Sequence, residues 1–216
     1  MNDWAKQLEG RFIVFDGPDG SGKTTQFHRF TQWCEQAGVP VETVREPGGT
    51  SIGEQIRSIL LDSSNREMTV PCELLLYMAS RSQLVQERIE PALARGALVL
   101  ADRFVSSTLA YQGTAGGLPE SDIRAVGEVA LAGRWPDCTV IFDVDESVAA
   151  SRRDAAPDRM ESKGVSFHER VRRGYLQQAE TNPEQVLLVD AAADVDSVFT
   201  SLLASLESWL ESTHVG

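Results

Sequence analysis

Residues 17–24 read Gly-Pro-Asp-Gly-Ser-Gly-Lys-Thr, which fits the pattern G-x-x-x-x-G-K-[ST]. The apolar residues before this segment suit a buried strand, and residues 25–35 after it suit a helix. A strand, a glycine-rich loop and a helix in this order arrange backbone N–H groups and the positive end of the helix around a phosphate. A chance glycine-rich turn, the alternative, would need neither flanking element. The sequence therefore predicts a nucleoside triphosphate site, formed by Gly17, Pro18, Asp19, Gly20, Ser21, Gly22, Lys23, Thr24 and Thr25.

Two side chains at the end of this loop suit the chemistry of a bound triphosphate. The Lys23 ammonium can reach the β and γ phosphates, and the Thr24 hydroxyl can hold Mg²⁺. The remaining question is what the protein does with the γ-phosphate.

Composition narrows the class of protein. The 216 residues, 42% of them hydrophobic, suffice for one α/β domain. A net charge of −12 argues against nucleic acid or an anionic membrane as the main partner. No apolar run approaches the ~20 residues of a membrane span. The polar residues 1–10 do not resemble a signal peptide, and we expect them to be frayed. Three scattered cysteines suggest reduced thiols in a cytoplasm, with Cys138 as a small core residue.

Apolar runs and helical stretches alternate along the chain, which predicts a doubly wound parallel sheet with helices on both faces. Ligands in such sheets bind at the carboxyl ends of the strands. The predicted strands are 12–15, 41–45, 98–102, 139–143 and 186–190. The predicted helices are 24–37, 51–61, 71–95, 120–132, 147–153, 166–180 and 195–212.

Charged residues stand where two of these strands end. Arg45 precedes a Pro-Gly-Gly turn, where it suits either a phosphate or a surface pair with Glu46. Asp102 follows four apolar residues and suits a contact to Mg²⁺, and Arg103 beside it suits an acceptor phosphate. Alternatively, Asp102 and Arg103 form an ion pair at the end of the strand and bind no ligand.

Three further segments fit either a role in the nucleotide site or a purely structural role. Tyr77 and Arg81 share one helix face and suit either a base or the core. Residues 106–113 are rich in hydroxyls, but they also fit an ordinary capped helix start. Residues 151–164 are arginine-rich and suit either a mobile lid over phosphates or a solvated loop.

Together these segments resemble bacterial thymidylate kinases, a family of nucleoside monophosphate kinases. The shared features are the glycine loop, Arg-Glu-Pro-Gly-Gly-Thr at 45–50, the helix of Tyr77 and Arg81, Asp-Arg-Phe-x-x-Ser-x-x-Ala-Tyr-Gln-Gly at 102–113 and Asp-Arg-Met-Glu at 158–161. The likeness covers nearly the whole chain. It implies a P-loop NTPase-type fold, ATP and dTMP as substrates, Mg²⁺ with the ATP, dTDP as a product on the way to dTTP, and a homodimer.

The resemblance also implies how dTMP is held. Arg45 and Arg103 would clamp its phosphate, and Asp19 would hold the deoxyribose 3′-hydroxyl. Tyr111 would crowd the 2′ position and so disfavour ribonucleotides. The residues implied at the base are Tyr77, where the family usually has Phe stacked on thymine, with Arg81 and Gln112 reading the polar edge and Ser107 and Thr108 nearby.

For catalysis, the resemblance implies Lys23, Arg103 and a short lid at about 150–166 with Arg152, Arg153 and Arg159. Arg152 and Arg153 are adjacent rather than alternating, so which lid arginine reaches the γ-phosphate is left open. Thr24 and Asp102 would organise Mg²⁺.

Two other functions remain open at this point. The first is a kinase of another monophosphate, such as dUMP, dCMP or a ribonucleotide, which only the base pocket separates from a dTMP kinase. The second is a nucleotide-dependent switch, which would be expected to carry an Asn-Lys-x-Asp motif that this sequence lacks.

Overall fold

A computed structural model describes residues 3–152 and 159–213. Its centre is a five-stranded sheet in which all neighbouring strands are parallel, in the order β2-β3-β1-β4-β5. The strands are β1 (Phe12–Asp16), β2 (Val41–Arg45), β3 (Leu98–Asp102), β4 (Cys138–Asp143) and β5 (Val186–Asp190). The predicted fold class is therefore confirmed, and each strand lies within one residue of its predicted bounds.

The helices connect the strands across both faces of the sheet. They are α1 (Lys23–Gln36), α2 (Ser51–Leu61), α3 (Val70–Leu84), α4 (Glu90–Ala94), α5 (Val105–Thr108), α6 (Glu120–Leu131), α7 (Glu146–Arg152), α8 (Val165–Thr181) and α9 (Val195–Thr213). Within the described ranges, no helix is both long and apolar enough to cross a bilayer.

The predicted helix over 71–95 is one helical run with a local change of pitch. A π-helical segment, Val85–Ile89, separates α3 from α4, and Pro91 lies in the first turn of α4. Proline has no N–H to donate to the preceding turn, so the backbone widens ahead of it. A second π-helical segment, Leu109–Thr114, continues α5 and carries two of the predicted site residues, Tyr111 and Gln112.

Alternating side chains of the strands enter buried apolar clusters on the two faces of the sheet. On one face, Phe15 packs against Phe30 of α1 and Phe142 of β4, with ring centroids 5.3 and 5.1 Å away. On the other face, Phe12 meets Phe104 edge-on at 4.9 Å. Each fully buried ring stabilises the fold by roughly 1.5–3 kcal/mol.

The N-terminal segment differs from the expected frayed end. Residues Asp3–Leu8 form a 3₁₀ helix, and Trp4, Ala5 and Leu8 are buried in the same core as α1 and α9. Trp4 lies against Trp33 with ring centroids 4.8 Å apart. The apolar contacts of these side chains outweigh the polar composition that suggested fraying.

The strand register brings the predicted site to one edge of the sheet. Arg45 pairs with Asp102 across β2 and β3, and Phe15 pairs with Asp102 across β1 and β3. The carboxyl ends of the three strands therefore lie side by side, directly below the glycine loop. Cys138 is buried in the core as predicted, and the three cysteines are free thiols.

Candidate active site

The glycine loop is shaped by close backbone contacts that leave no room for a side chain. A Cβ on Gly20 would overlap the carbonyl oxygen of Ala149 in α7, and one on Gly17 would overlap that of Phe142 in β4. Gly22, at φ 80°, turns the chain into α1, which begins at Lys23. The loop is thus fixed between β1, β4 and α7, with the N-terminus of α1 at its end, as anion binding requires.

A cleft of about 270 Å³ opens beside this loop. It brings together predicted residues from every sequence segment except the arginine-rich loop, although Gly17, Pro18, Gly20, Ser21, Gly22 and Thr25 of the predicted triphosphate site do not line it. The predicted residues that line it are Asp19, Lys23, Thr24, Arg45, Tyr77, Arg81, Asp102, Arg103, Ser107, Thr108, Tyr111 and Gln112. Met160 and Glu161, at the end of the predicted lid, line it as well.

Lys23 and Asp102 form an ion pair at one end of the cleft. Burial lowers the pKa of Lys23, and the nearby Arg103 lowers it further against the opposing effect of Asp102. Thr24, in the first turn of α1, is exposed and lines the same cleft as Asp102. A hydroxyl and a carboxylate in one cleft are the hard oxygen donors that Mg²⁺ prefers, so these residues fit that ion.

Asp16, at the end of β1, is a buried hub that the sequence analysis did not single out. Its Oδ1 accepts hydrogen bonds from the hydroxyls of Tyr175 at 2.7 Å and Ser107 at 2.8 Å, and its Oδ2 accepts one from Ser106 at 2.6 Å. The backbone N–H of Gly17 also donates to Oδ1 at 2.9 Å. The sequence signal was an acidic residue ending the strand directly before the loop.

Arg103 is held over this hub in an uncommon backbone conformation. Its φ is 69°, in the left-handed region that few non-glycine residues adopt. Its Nη1 donates to Asp16 at 3.2 Å and to the carbonyl oxygen of Gly17 at 3.0 Å, and its Nη2 donates to Asp19. Such strain is maintained where surrounding contacts determine the geometry, and it occurs often at functional sites.

Asp19 is the acidic residue inside the loop, and it contacts both Arg103 and Tyr111. Burial alone would raise its pKa, but the Arg103 guanidinium and the hydrogen bond from Tyr111 outweigh that effect and lower it. The Asp19 carboxylate is therefore ionised at neutral pH and can accept a further hydrogen bond.

Arg81 lies at the other end of the cleft and is almost completely buried. Its Nε donates to Glu46 at 2.7 Å, its Nη1 donates to Thr108 at 3.2 Å, and its guanidinium lies over the Phe104 ring at 5.0 Å. Burial raises the pKa of Glu46 to about 7, against the lowering effect of Arg81. The contact to Glu46 was not foreseen, although Glu46 stands inside the Arg-Glu-Pro-Gly-Gly-Thr motif.

Of the predicted lid arginines that the structure describes, Arg152 and Arg159, neither lies among the residues that line the cleft. Arg152, at the end of α7, donates to the carbonyl oxygen of Ala191 at 3.2 Å. Arg159 is buried and donates to Glu73 at 2.5 Å and to the carbonyl oxygen of Leu60 at 2.7 Å. Arg153 lies outside the described residues. The catalytic role of these arginines stays a prediction, and in this conformation Arg159 is anchored rather than free.

The fold and the cleft define a class. A glycine loop after the central strand of a parallel sheet, with a lysine, a hydroxyl and an acidic strand end around it, is the arrangement of a P-loop NTPase-like protein. The family model described as "Thymidylate kinase" matches residues 15–202. The chain belongs to the thymidylate kinase family.

Individual relatives agree with that assignment. The thymidylate kinase of Caldanaerobacter subterraneus subsp. tengcongensis is 41% identical over 209 residues, which cover 96% of this chain and 100% of that protein. The thymidylate kinase of Desulforudis audaxviator is 45% identical over 206 residues, or 94% and 93% of the two chains. The crystal structure of thymidylate kinase from Ehrlichia chaffeensis superimposes with a TM-score of 0.76 at 31% identity, covering 91% of this chain and 98% of that one.

Proposed function

We propose that this protein transfers the γ-phosphoryl group of ATP to dTMP, giving ADP and dTDP. The observation that carries the proposal is that one cleft joins Lys23 and Thr24 of the glycine loop to Arg45, Arg103 and Arg81. The first two suit the donor phosphates, and the arginines suit an anionic acceptor with a polar base edge. Membership of the thymidylate kinase family supports dTMP as that acceptor.

The reaction requires alignment and charge neutralisation rather than a general base. The acceptor is a phosphate oxygen that is already anionic near neutral pH. Two polyanions repel each other, so cations are needed on both sides of the transferred group. Lys23 and the loop N–H groups supply them on the donor side, and Arg45 and Arg103 hold the acceptor in line. Arg103 already lines the cleft, where Asp16 and Asp19 hold its guanidinium beside the place of the acceptor.

Other residues that line the cleft account for the choice of nucleotide. Tyr77 stacks on the base, while Arg81 and Gln112 face its polar edge. Asp19 accepts a hydrogen bond from the 3′-hydroxyl, and Tyr111 occupies the space beside the 2′ position. Thr24 and Asp102 would hold Mg²⁺, and the bound ion would neutralise charge on the donor phosphates. Residues 150–166 then act as the lid that excludes water.

A homodimer in the cytoplasm completes the proposal. Helix α3 packs against both α2 and α6, and all three expose large apolar side chains: Ile52 and Ile59 on α2, Leu75 on α3 and Val129 on α6. Exposed apolar groups on neighbouring elements favour an interface between copies of the chain. Sedimentation of the protein should give the mass of a dimer, and Val129→Asp should shift it towards the monomer, whereas Val195→Asp, outside these helices, should not.

The experiment that tests the activity is ADP release with MgATP and a panel of acceptors. The panel contains dTMP, dUMP, dCMP, dGMP, AMP, UMP, thymidine and no acceptor. A strong preference for dTMP is expected. A preference for another monophosphate would move the assignment to that nucleotide, and equal release without an acceptor would indicate a hydrolase or a switch.

A further inference from the structure

Glu73, in the first turn of α3, is a buried carboxylate that joins two parts of the site. Its Oε2 accepts a hydrogen bond from Nε2 of Gln112 at 3.0 Å. Its Oε1 accepts hydrogen bonds from Arg159 at 2.5 Å and from Lys163 at 2.8 Å. One oxygen therefore faces the base-side residue of the cleft, and the other anchors the end of the lid.

Glu73 is ionised at neutral pH. Burial alone would raise its pKa, but the hydrogen bonds from Lys163, Arg159 and Gln112 outweigh that effect and lower it. The N-terminal end of α3 also favours a negative charge in its first turn. An ionised carboxylate only accepts hydrogen bonds. The Gln112 amide must therefore turn its NH₂ group towards Glu73.

This constraint decides what Gln112 offers to a ligand. With the NH₂ group turned to Glu73, the carbonyl Oε1 lies on the other side of the amide as a hydrogen-bond acceptor. Thymine and uracil carry a donor, N3–H, on their polar edge, whereas cytosine carries an acceptor at N3. A fixed acceptor at Oε1 of Gln112 therefore favours thymine and uracil, whose N3–H can donate to it. With cytosine, Oε1 would face the acceptor N3, and two acceptors facing each other in a buried pocket are unfavourable.

We propose that Glu73 is a positioning residue that fixes the amide orientation of Gln112 and thereby makes the pocket select a base with N3–H over cytosine. The proposal rests on the proposed function, because it concerns the base of the acceptor nucleotide. Glu73 acts through Gln112 and does not itself touch the substrate. Its second oxygen ties the same carboxylate to Arg159 and Lys163, so the lid end and the base-reading amide share one anchor.

The test is Glu73→Gln, which keeps the shape of the side chain but lets its amide donate as well as accept. The Gln112 amide can then flip. The ratio of kcat/KM for dTMP to that for dCMP should fall about tenfold, as expected for one hydrogen bond. The ratio for dTMP to dUMP should stay unchanged, because both bases carry N3–H. A general loosening of the pocket would change both ratios, and this outcome would overturn the proposal.

Two further variants separate positioning from lid anchoring and from folding. Lys163→Gln removes one lid contact and leaves the bond between Glu73 and Gln112, so the dTMP to dCMP ratio should not change. Gln112→Leu should lower that ratio, and adding Glu73→Gln to it should lower the ratio no further. If Glu73→Gln does not fold, Glu73→Asp, which withdraws the carboxylate from Gln112, should lower the ratio in its place.

Failure of this proposal is distinguishable from failure of the proposed function. If the unchanged protein does not prefer dTMP, the proposed function fails. If it prefers dTMP and Glu73→Gln keeps the full dTMP to dCMP ratio, only the role of Glu73 is overturned.

Discussion

The Tyr111 hydroxyl donates a hydrogen bond to Oδ2 of Asp19 at 2.8 Å. This contact links the π-helical segment after β3 to the glycine loop, so the acceptor side and the donor side of the cleft are directly connected. Burial raises the pKa of Tyr111, and the negative charge of Asp19 raises it further, so the phenol stays protonated as the donor. Asp19 is held ionised by Arg103 and by this hydrogen bond.

The ring and the hydroxyl of Tyr111 should have separable effects. Tyr111→Phe removes the hydrogen-bond donor to Asp19. The KM for dTMP should rise several-fold, which is the order of effect expected from the loss of one hydrogen bond to a charged group. The variant should leave the preference for dTMP over its ribonucleotide unchanged because the ring still fills the space at the 2′ position. Tyr111→Ala should lower that preference. Equal preference in both variants would remove Tyr111 from sugar discrimination.

Lys23 should govern turnover rather than acceptor binding. Lys23→Ala removes the cation from the donor phosphates and leaves Asp102 unpaired, so kcat should fall by about 10²–10³. The KM for dTMP should change little. Lys6→Ala serves as the control, since Lys6 pairs with Glu9 away from the cleft, and it should keep full turnover. Near-normal kcat in Lys23→Ala would contradict the donor-side assignment.

Arg81 should affect the acceptor far more than ATP. Arg81→Ala should raise the KM for dTMP about a hundredfold, as expected when a charge-assisted hydrogen bond is lost, and leave that for ATP within about twofold. It should also destabilise the fold by about 3–5 kcal/mol because it leaves Glu46 buried without its partner. Arg88 lies on the same helical run as Arg81 and pairs with Glu42 of β2. Arg88→Ala removes that ion pair and should leave both KM values unchanged. An equal rise for dTMP and ATP would place Arg81 outside the base pocket.

The Glu46 carboxyl should make stability depend on pH in an unusual direction. Burial raises its pKa from 4.5 to about 7, so the folded state binds more protons than the unfolded state between these values. Its contribution to the free energy of unfolding is therefore full below pH 4.5 and falls by on the order of 3 kcal/mol as the pH rises to about 7.

Urea unfolding of the wild type and of Glu46→Gln across this pH range measures the effect. Other titrating groups cancel in the difference between the two proteins. The stability advantage of the wild type over the variant should shrink as the pH rises. A constant or growing advantage would contradict the raised pKa.

The sheet and the family were predictable from local patterns. Apolar runs marked each strand to within one residue, and the glycine loop with its neighbours fixed the central strand. The fraying expected for residues 1–10 was wrong for Asp3–Leu8, because polar residues dominate the composition of this segment while its described side chains Trp4, Ala5 and Leu8 enter the core. The π-helical segment at 85–89 was not predicted, because Pro91 lies after the segment and changes the hydrogen bonding of the turn before it.

For the site, many of the residues that line the cleft could be named from the sequence because they stand at strand ends or in motifs with a chemical purpose, but Arg57 and Leu61 of α2 line it too and were not predicted. The supporting partners of the cleft residues were not predictable. Glu73 contacts Gln112 and Arg159 over separations of 39 and 86 residues, and Tyr175 reaches Asp16 across 159. Such contacts depend on how distant helices pack, which no local pattern encodes.

The identity of the phosphorylated product tests the central claim most directly. The protein is incubated with γ-labelled ATP, Mg²⁺ and dTMP, and the label is followed by chromatography. We predict that the label appears in dTDP in a one-to-one ratio with ADP and that inorganic phosphate stays at the level found without protein. Label accumulating in inorganic phosphate at the same rate with and without dTMP would contradict the account.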